Sequence, residues 1–249
     1  MMNRFQGKRI VVTGAGSGIG RATVIRLVEE GAEVFAVDQS SDGLVVTSDS
    51  AGKGVVSHAL SVTDETAVKK LFKEIGESGD LHGIANLAGV LAATHTDQTS
   101  VEAFRQIIDV NLIGTFICCR EGLPLLEKSG GAIVNAASTS SFFGHPFMAA
   151  YSASKGGIAS MTKAIAWEYI KRGVRANAIA PGGIATAMTE AIQRNFPDDV
   201  DMSLYMHLSR PDFQVGQPEQ VASVIAMLLS EDAAFMTGEI VRIDGGVHA

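Results

Sequence analysis

Short apolar runs alternate with amphipathic stretches along almost the whole of this 249-residue chain. Seven of the runs are short and bounded by polar residues or glycine, which is typical of strands; they are residues 8–13, 33–38, 54–59, 81–86, 132–137, 175–180 and 239–243. In the stretches between them apolar residues recur every three or four positions, which predicts helices over residues 21–30, 64–75, 99–128, 151–172 and 218–229.

Strand and helix alternate without a linker or an internal repeat, so the pattern favours a single domain covering residues 1–249. Such alternation is typical of an α/β fold in which a doubly wound, parallel (Rossmann) sheet lies between two layers of helices. Two stretches lack a clear pattern. The polar residues 40–53 predict a short, irregular crossover. Residues 187–216 predict a mobile substrate lid, because long patternless segments in compact domains are usually functional.

Composition narrows the classes of protein that this chain can be. The net charge of −7 and the absence of a basic stripe argue against nucleic acid as a partner. The longest apolar runs are shorter than the roughly 18 residues of a membrane span, and the first ten residues have no apolar core, so no signal peptide is expected. Cys118 and Cys119 are adjacent, which disfavours a disulfide or a metal site, and a reducing, cytoplasmic setting is expected.

A glycine-rich turn joins the first strand to the first helix, with the sequence T-G-A-G-S-G-I-G over residues 13–20. Gly14, Gly18 and Gly20 suit this turn, because glycine adopts positive φ without strain and lets a pyrophosphate approach the backbone. Unpaired N–H groups at the helix N-terminus attract that anion. Asp38 ends the second strand 18 residues after Gly20, close to the usual offset of a ribose-binding acid. The sequence therefore predicts a dinucleotide site.

Asp38 also bears on which dinucleotide is bound. A carboxylate accepts hydrogen bonds from the adenosine ribose hydroxyls but repels a 2′-phosphate. Gln39 follows it, and Ser17 rather than an arginine lies inside the glycine turn, so no cation is evident for that phosphate. The sequence predicts NAD, rather than NADP, as the cofactor.

A second group of candidate residues lies further along the chain. Tyr151 and Lys155 are four apart at the start of a predicted helix, so the phenol and the ammonium share one face. Ser138 follows the strand at 132–137, at the sheet edge where open α/β folds bind ligands. Asn111 interrupts the helix at 99–128, although asparagine is a poor interior helix residue. The residues alone leave a second interpretation open, in which Tyr151 packs, Lys155 and Asn111 are solvated, and Ser138 caps a loop.

Taken together, these motifs resemble the short-chain dehydrogenase/reductase family in its compact single-domain form. The resemblance extends from Lys8 to Gly246 and depends on several spaced motifs: T-G-x-x-x-G-x-G at 13–20, N-x-A-G at 86–89, Asn111, Ser138, Y-x-x-x-K at 151–155, P-G at 181–182 and D-G-G at 244–246. It implies an oxidoreductase that transfers a hydride between a nicotinamide cofactor and a secondary alcohol or ketone.

The resemblance also implies a role for each candidate residue. Tyr151 would be the general acid/base, with its pKa lowered by Lys155 and by the positive nicotinamide. Ser138 would hydrogen-bond the substrate oxygen, Asn111 would hold a water that links Lys155 to solvent, and Lys155 would also contact the nicotinamide ribose. The implied cofactor-binding residues are Gly14, Ser17, Gly18, Ile19, Gly20, Asp38, Ser61, Val62, Asn86, Ala88, Gly89, Tyr151, Lys155, Pro181, Gly182, Ile184 and Thr186.

Two positions depart from the family pattern. Ser61 stands where an aspartate often contacts the adenine amine, and Leu87 stands where asparagine is common. The residues expected to frame the substrate pocket are apolar and favour a hydrophobic or cyclic secondary alcohol or ketone; they are Leu91, Phe142, Phe143, Phe147, Met148, Met188, Phe196, Met202, Leu204, Tyr205 and Met206. Arg194, His207 and Arg210 are candidates for binding an anionic substrate tail, although solvation is the simpler expectation.

Two alternative functions stay open. One is an NADP-dependent 3-oxoacyl-carrier-protein reductase, against which Asp38 argues. The other is a catalytically silent nucleotide-sensing relative, against which the presence of all four catalytic positions argues. Small residues along the 151–172 helix also indicate a subunit interface, so a homo-oligomer, either a tetramer or a dimer, is expected, although packing against the sheet explains these residues nearly as well.

Overall fold

A computed structural model of the protein describes residues 3–194, 196 and 199–249, leaving out the side chains of residues 192–194 and 202. Within these residues seven parallel strands form one sheet, in the order β3-β2-β1-β4-β5-β6-β7. The strands are β1 (Arg9–Thr13), β2 (Glu33–Asp38), β3 (Val55–Ala59), β4 (Gly83–Asn86), β5 (Ala132–Ala136), β6 (Arg175–Pro181) and β7 (Ile240–Ile243). This order confirms the predicted doubly wound sheet, whose switch point between β1 and β4 is a place where such folds bind ligands.

Helices cover both faces of the sheet. They are α1 (Gly18–Glu29), α2 (Ser41–Ala51), α3 (Glu65–Ser78), α4 (Val101–Ile108), α5 (Gly114–Ser129), α6 (Ala149–Tyr169), α7 (Ala187–Arg194) and α8 (Pro218–Leu229). Successive strand side chains point to opposite faces, so Val12 packs with Val24 of α1 and Ile225 of α8, whereas Val11 packs with Leu71 of α3 on the other side. None of the described helices is both long enough and apolar enough to cross a bilayer.

Residues 40–53 contain the helix α2 (Ser41–Ala51) and are not the irregular crossover that their polarity predicts. The Ser40 hydroxyl caps this helix by accepting the Gly43 N–H at 3.0 Å. Leu44 and Thr47, three apart, are its buried residues, and the Thr47 hydroxyl donates to the Ala15 carbonyl at 2.8 Å. A buried face of only two residues leaves too weak a periodicity for the helix to be detected in the sequence.

The helix predicted over residues 99–128 is divided in the structure. A π-helical turn, Asp109–Ile113, joins α4 to α5. Such a turn holds more residues than an α-helical turn and rotates the helix that follows it. Phe116, which follows the turn, is consequently 43% exposed, although its spacing along the predicted helix indicates burial. Phe104, which precedes the turn, is 36% exposed, whereas Ile107 is buried.

Candidate active site

The glycine-rich turn lies at the carboxyl edge of the sheet. Gly14 has a φ of +67° and Gly18 a φ of +48°, which other residues rarely adopt. A Cβ on Gly20 would lie 1.9 Å from the carbonyl oxygen of Gly14, so α1 can begin this close to β1 only with glycine there. Ser17 precedes α1, and its side chain makes no capping hydrogen bond to a described residue. The first N–H groups of α1 therefore remain available to an anion.

Asp38 ends β2 directly against this turn. Its Oδ2 accepts the Gly16 N–H and its Oδ1 accepts the Ser40 N–H, each at 2.9 Å. A Cβ on Gly16 would lie 2.9 Å from Asp38 Cγ. The carboxylate is thereby fixed beside the glycine turn, and each oxygen keeps a lone pair for a further donor such as a ribose hydroxyl.

A cation that the sequence analysis missed lies beside the same turn. Arg21 donates through Nη2 to the carbonyl of Gly16 and through Nε to the Thr47 hydroxyl at 3.0 Å. The sequence feature that could have indicated this cation is the position of Arg21 directly after Gly20, the last glycine of the turn. Its position depends on the packing of α2, which was not predicted. Arg21 therefore qualifies the expectation that this region offers no cation.

The segment that follows β6 meets the glycine turn from the other side. A Cβ on Gly18 would lie 3.1 Å from Thr186 Cγ2, and a Cβ on Gly182 would lie 2.9 Å from Asp244 Cβ. Pro181 ends β6, and the buried Ile184 pairs with Gly216 in a short parallel bridge. The structure thus brings the two predicted halves of the cofactor site together.

The turn at residues 86–89 is held at the site by hydrogen bonds of its backbone, whereas the side chain of its asparagine, Asn86, points into the core. Leu87 and Ala88 donate their N–H groups to the Thr13 hydroxyl at 3.1 and 3.2 Å, which holds this turn against β1. Asn86, by contrast, is buried and donates to Asn135 Oδ1 at 2.9 Å. Its amide nitrogen is occupied within the core, whereas its Oδ1 is buried without a hydrogen-bond partner among the described residues.

The residues predicted at the adenine end follow β3. The Ser61 hydroxyl shares a hydrogen bond with the Thr63 hydroxyl at 2.8 Å. Val62 is buried, and a Cβ on Gly114 would lie 2.6 Å from its Cγ2. Val62 is therefore held against the start of α5. Ile19, in the first turn of α1, is partly buried against the core.

Asn111 is fully buried in the π-helical turn, which excludes the surface interpretation. Its Oδ1 accepts the Val90 N–H at 2.7 Å, and its Nδ2 donates to the Val90 carbonyl and to Ser154 Oγ, each at 3.0 Å. A Cβ on Gly89 would lie 3.2 Å from Asn111 Oδ1 and 3.6 Å from Lys155 Nζ. Asn111 and Lys155 therefore meet beside Gly89.

Lys155 and Tyr151 share one face of α6, as their spacing predicts. Lys155 is 4% exposed, its Nζ donates to the Ala136 carbonyl at 2.6 Å, and it lies 5.6 Å from the centroid of the Tyr151 ring. Burial lowers the pKa of Lys155 to about 8. The solvated interpretation of Lys155 is therefore wrong.

Ser138 follows β5 and reaches the phenol of Tyr151. Burial, the larger effect, raises the pKa of Tyr151, and a hydrogen bond from Ser138 lowers it in part. The direction is opposite to the one that the resemblance implies for the cofactor-bound site. In this environment the phenol holds its proton more firmly than a phenol in water.

An apolar cluster includes Tyr151. Five side chains pack around the buried Ala93 and Met148, namely Leu91, Phe147, Tyr151, Phe196 and Tyr205. The rings of Phe147 and Tyr205 are stacked with centroids 6.1 Å apart, and Phe196 meets Tyr205 edge-on at 4.8 Å. The Tyr205 hydroxyl donates to the Pro146 carbonyl at 2.7 Å, so Tyr205 contacts the loop that leads into α6.

Phe147 has a φ of +63°, a strained conformation for a bulky residue that is common at functional sites. Two contacts offset the strain. The Thr94 N–H donates to its carbonyl at 2.8 Å, and the His95 ring meets its ring edge-on at 5.1 Å.

Several other residues predicted to line the substrate pocket are not part of this cluster. Phe143 stacks on His248 with centroids 3.8 Å apart. Four more side chains are exposed, namely Phe142, Met188, Leu204 and Met206. The side chains of Arg194 and Met202 lie outside the described residues. His207 bonds the Gly144 carbonyl at 2.9 Å, and Arg210 pairs with Asp212 at 2.9 Å, so both side chains already have partners.

Comparison with known proteins agrees with this geometry. A family model described as enoyl-(acyl carrier protein) reductase matches residues 14–248. The chain is 38% identical to a 3beta-hydroxysteroid dehydrogenase of Mediterraneibacter gnavus, over 99% of this chain and 96% of that protein. It is 35% identical to the 3-oxoacyl-[acyl-carrier-protein] reductase FabG of Thermotoga maritima, over 98% of this chain and 99% of that protein. A solved structure described as an NAD(P)-dependent gluconate 5-dehydrogenase from Beutenbergia cavernae, with bound NADP, superposes with a TM-score of 0.89 at 30% identity, covering 99% of each chain.

Proposed function

Because this chain belongs to the short-chain dehydrogenase/reductase family, and is therefore an NAD(P)-dependent oxidoreductase acting on CH–OH groups, we propose that it uses NAD to interconvert an apolar or cyclic secondary alcohol and its ketone. The observation that carries the proposal is the convergence of Ser138, Tyr151 and Lys155 beside a cluster of aromatic side chains. The reactive ring of the cofactor supplies the hydride chemistry.

The residues at the carboxyl edge of the sheet fit a dinucleotide. Glycine is required at Gly14 and Gly20 by backbone angle and close packing, and the uncapped start of α1 suits a pyrophosphate. Asp38 has lone pairs left for the ribose hydroxyls, and Thr186 lies over Gly18 at the start of α1. These residues would hold the cofactor across the switch point of the sheet.

Tyr151 is proposed as the proton donor and acceptor. Because burial raises its pKa, the phenol is protonated at neutral pH and can donate to the oxygen of a ketone. In alcohol oxidation the same phenol oxygen accepts the hydroxyl proton, and Ser138 and the Lys155 ammonium stabilise the charge that develops there. Ser138 would hydrogen-bond the substrate oxygen, and Asn111 would hold a water that connects Lys155 to solvent.

The apolar cluster around Tyr151 supports the proposed substrate class. The rings of Phe147, Phe196 and Tyr205 pack together in this cluster, and apolar, aromatic surroundings suit a carbocycle better than a charged or strongly hydrated substrate. The 3beta-hydroxysteroid dehydrogenase among the relatives acts, by its name, on a substrate of this kind. Residues 187–216 would serve as the lid over the substrate.

Assembly and location are part of the same proposal. We propose a homo-oligomer, a dimer or a tetramer, in a cytoplasmic setting. Large apolar side chains stand exposed on the described surface, including Phe116 on α5, Trp167 on α6 and Phe235 beyond α8, at 43%, 78% and 105%. Burial of such residues against other copies of the chain would remove apolar surface from water.

One observation favours a second candidate, the NADP-dependent 3-oxoacyl-carrier-protein reductase. Arg21 lies beside the glycine turn, where it could meet a 2′-phosphate, and one relative carries that activity in its name. Asp38 argues against it, because its carboxylate occupies the space beside Gly16 and would repel the phosphate.

The test follows NADH absorbance with a panel of linear and cyclic secondary alcohols and ketones, with NADP in parallel. Tyr151→Phe should lower turnover by roughly 10²- to 10⁴-fold, because it removes the proton-transferring oxygen, while NADH affinity measured by fluorescence stays within about threefold. Tyr169→Phe, a tyrosine at the other end of α6, is the matched control and should keep wild-type rates. Turnover that survives Tyr151→Phe would contradict the mechanism, and cofactor binding without turnover on any substrate would favour the silent relative.

A further inference from the structure

Ser154 lies between two of the candidate catalytic residues, three positions after Tyr151 and one before Lys155. It has no exposed area. Its hydroxyl donates to the Tyr151 carbonyl at 2.7 Å and accepts the Asn111 Nδ2–H at 3.0 Å. One hydroxyl therefore connects the π-helical turn to the helix that carries the phenol and the ammonium.

The direction of these hydrogen bonds follows from the chemistry of the partners. A carbonyl only accepts, so the Ser154 proton points at Tyr151, and its oxygen can only accept from the amide nitrogen of Asn111. The nitrogen side of the carboxamide therefore faces Ser154. The oxygen side accepts the Val90 N–H at 2.7 Å and lies next to Gly89.

Asn111 consequently bridges two elements that must keep a fixed relation. On one side it pairs twice with Val90, in the loop that borders the proposed nicotinamide region. On the other side its only described partner on α6 is the Ser154 hydroxyl. Ser154 thus couples the position of this loop to the position of the first turns of α6.

The geometry points to Ser154 as a positioning residue that holds Tyr151 and Lys155 of α6 in register with Asn111 and the loop at 89–90. The inference rests on the proposed function, in which that loop and α6 face the same reacting atoms. Small misplacements of reacting groups can cost about 10²-fold in rate. A serine that merely satisfied its own hydroxyl within the helix would have no such effect.

The experiment compares Ser154→Ala with Ser152→Ala. Ser152 is on the same turn of α6, and its Oγ is buried without a hydrogen-bond partner among the described residues, so its removal breaks no connection. Alanine is a better helix former than serine, so both variants should fold. Ser154→Ala should lower kcat by roughly ten- to a hundredfold and leave the NADH Kd and the substrate KM within about threefold. Ser152→Ala should match the wild type, and Ser154→Thr, which keeps the hydroxyl, should recover most of the rate.

Unchanged kcat in Ser154→Ala, or an equal loss in Ser152→Ala, would overturn the inference. A second readout does not depend on turnover. In protein labelled with ¹⁵N-asparagine, the side-chain amide protons of Asn111 should exchange with solvent at least tenfold faster in Ser154→Ala and not in Ser152→Ala; equal exchange would overturn the inference. If the wild type acts on no alcohol or ketone, the proposed function fails, and this exchange measurement alone then decides the role of Ser154.

Discussion

Replacing Asp38 with asparagine should abolish the discrimination between NAD and NADP. The Asp38 carboxylate accepts the N–H groups of Gly16 and Ser40, each at 2.9 Å, and these bonds hold it beside the glycine turn. Two further hydrogen bonds, donated by ribose hydroxyls, would occupy the remaining lone pairs of the carboxylate. A phosphate on the 2′ oxygen would instead bring two anions together at this point.

The magnitude follows from charge and distance. Two unit charges about 5 Å apart repel by about 3 kcal/mol at an effective dielectric constant of about 20, which corresponds to roughly a hundredfold in Kd. Asparagine removes this repulsion. It also offers only one acceptor oxygen, so the N–H of Gly16 or of Ser40 loses its partner, and hydrogen bonds to a charged group are each worth about 1.5–3 kcal/mol. NADPH affinity should therefore rise by about tenfold or more, and NADH affinity should fall by about tenfold.

Fluorescence titration of NADH and NADPH provides the assay, and it separates affinity from turnover. Asp42→Asn is the matched control, because Asp42 is an exposed carboxylate in the first turn of α2 and the change removes the same charge. Added salt should reduce the wild-type preference, since screening weakens the repulsion between exposed charges. An unchanged NADPH Kd in Asp38→Asn, or an equal shift in Asp42→Asn, would refute the reasoning and direct attention to Arg21.

Two further predictions concern stability. Burial lowers the folded-state pKa of Lys155 to about 8 from 10.5, so the unfolded chain binds more protons between these pH values and the free energy of unfolding increases as pH rises through that range. In urea unfolding, the amount by which the wild type is less stable than Lys155→Met should therefore shrink by about 2 kcal/mol between pH 7.5 and 10. A difference in stability that stays constant with pH would contradict the burial of a charged Lys155. Gly20→Ala should prevent folding, because the new Cβ would lie 1.9 Å from the Gly14 carbonyl oxygen, whereas Gly156→Ala, with no atom within 4 Å of its Cβ, should raise stability by about 0.4–1 kcal/mol in the same assay.

Local sequence patterns were sufficient to predict the strands of the sheet. They were insufficient for elements whose formation or position depends on tertiary contacts. The short apolar runs predicted each strand to within a few residues, because the strands buried at the centre of a parallel sheet tolerate little polarity. The helix α2 was missed because its stability comes from Thr47 and Leu44 reaching the body of the protein. Strand order could not be read from periodicity at all, since it is set by how the crossovers pack.

The candidate site likewise contains residues whose positions the sequence predicted and residues whose positions depend on tertiary contacts. Spacing alone placed Tyr151 and Lys155 on one helical face, and the glycine turn before Asp38 was evident from order along the chain. Asn86 was predicted at the cofactor because of its motif, yet its carboxamide bonds Asn135 in the core. Whether a polar side chain at a strand end faces the crevice or the neighbouring strand depends on its partner across the sheet, which sequence order does not specify.

The positions at which the sequence breaks local rules identify the site more sharply than any single motif. Asn111 is an asparagine within a helical run, Lys155 is a buried ammonium, and Phe147 is a bulky residue at positive φ. Each is unfavourable alone, and each is compensated by partners from other elements: Val90 and Ser154 for Asn111, the Ala136 carbonyl for Lys155, and Thr94 for Phe147. Because a fold retains such costs only where other contacts outweigh them, their concentration around Tyr151 is an independent physical argument that the chemistry takes place there.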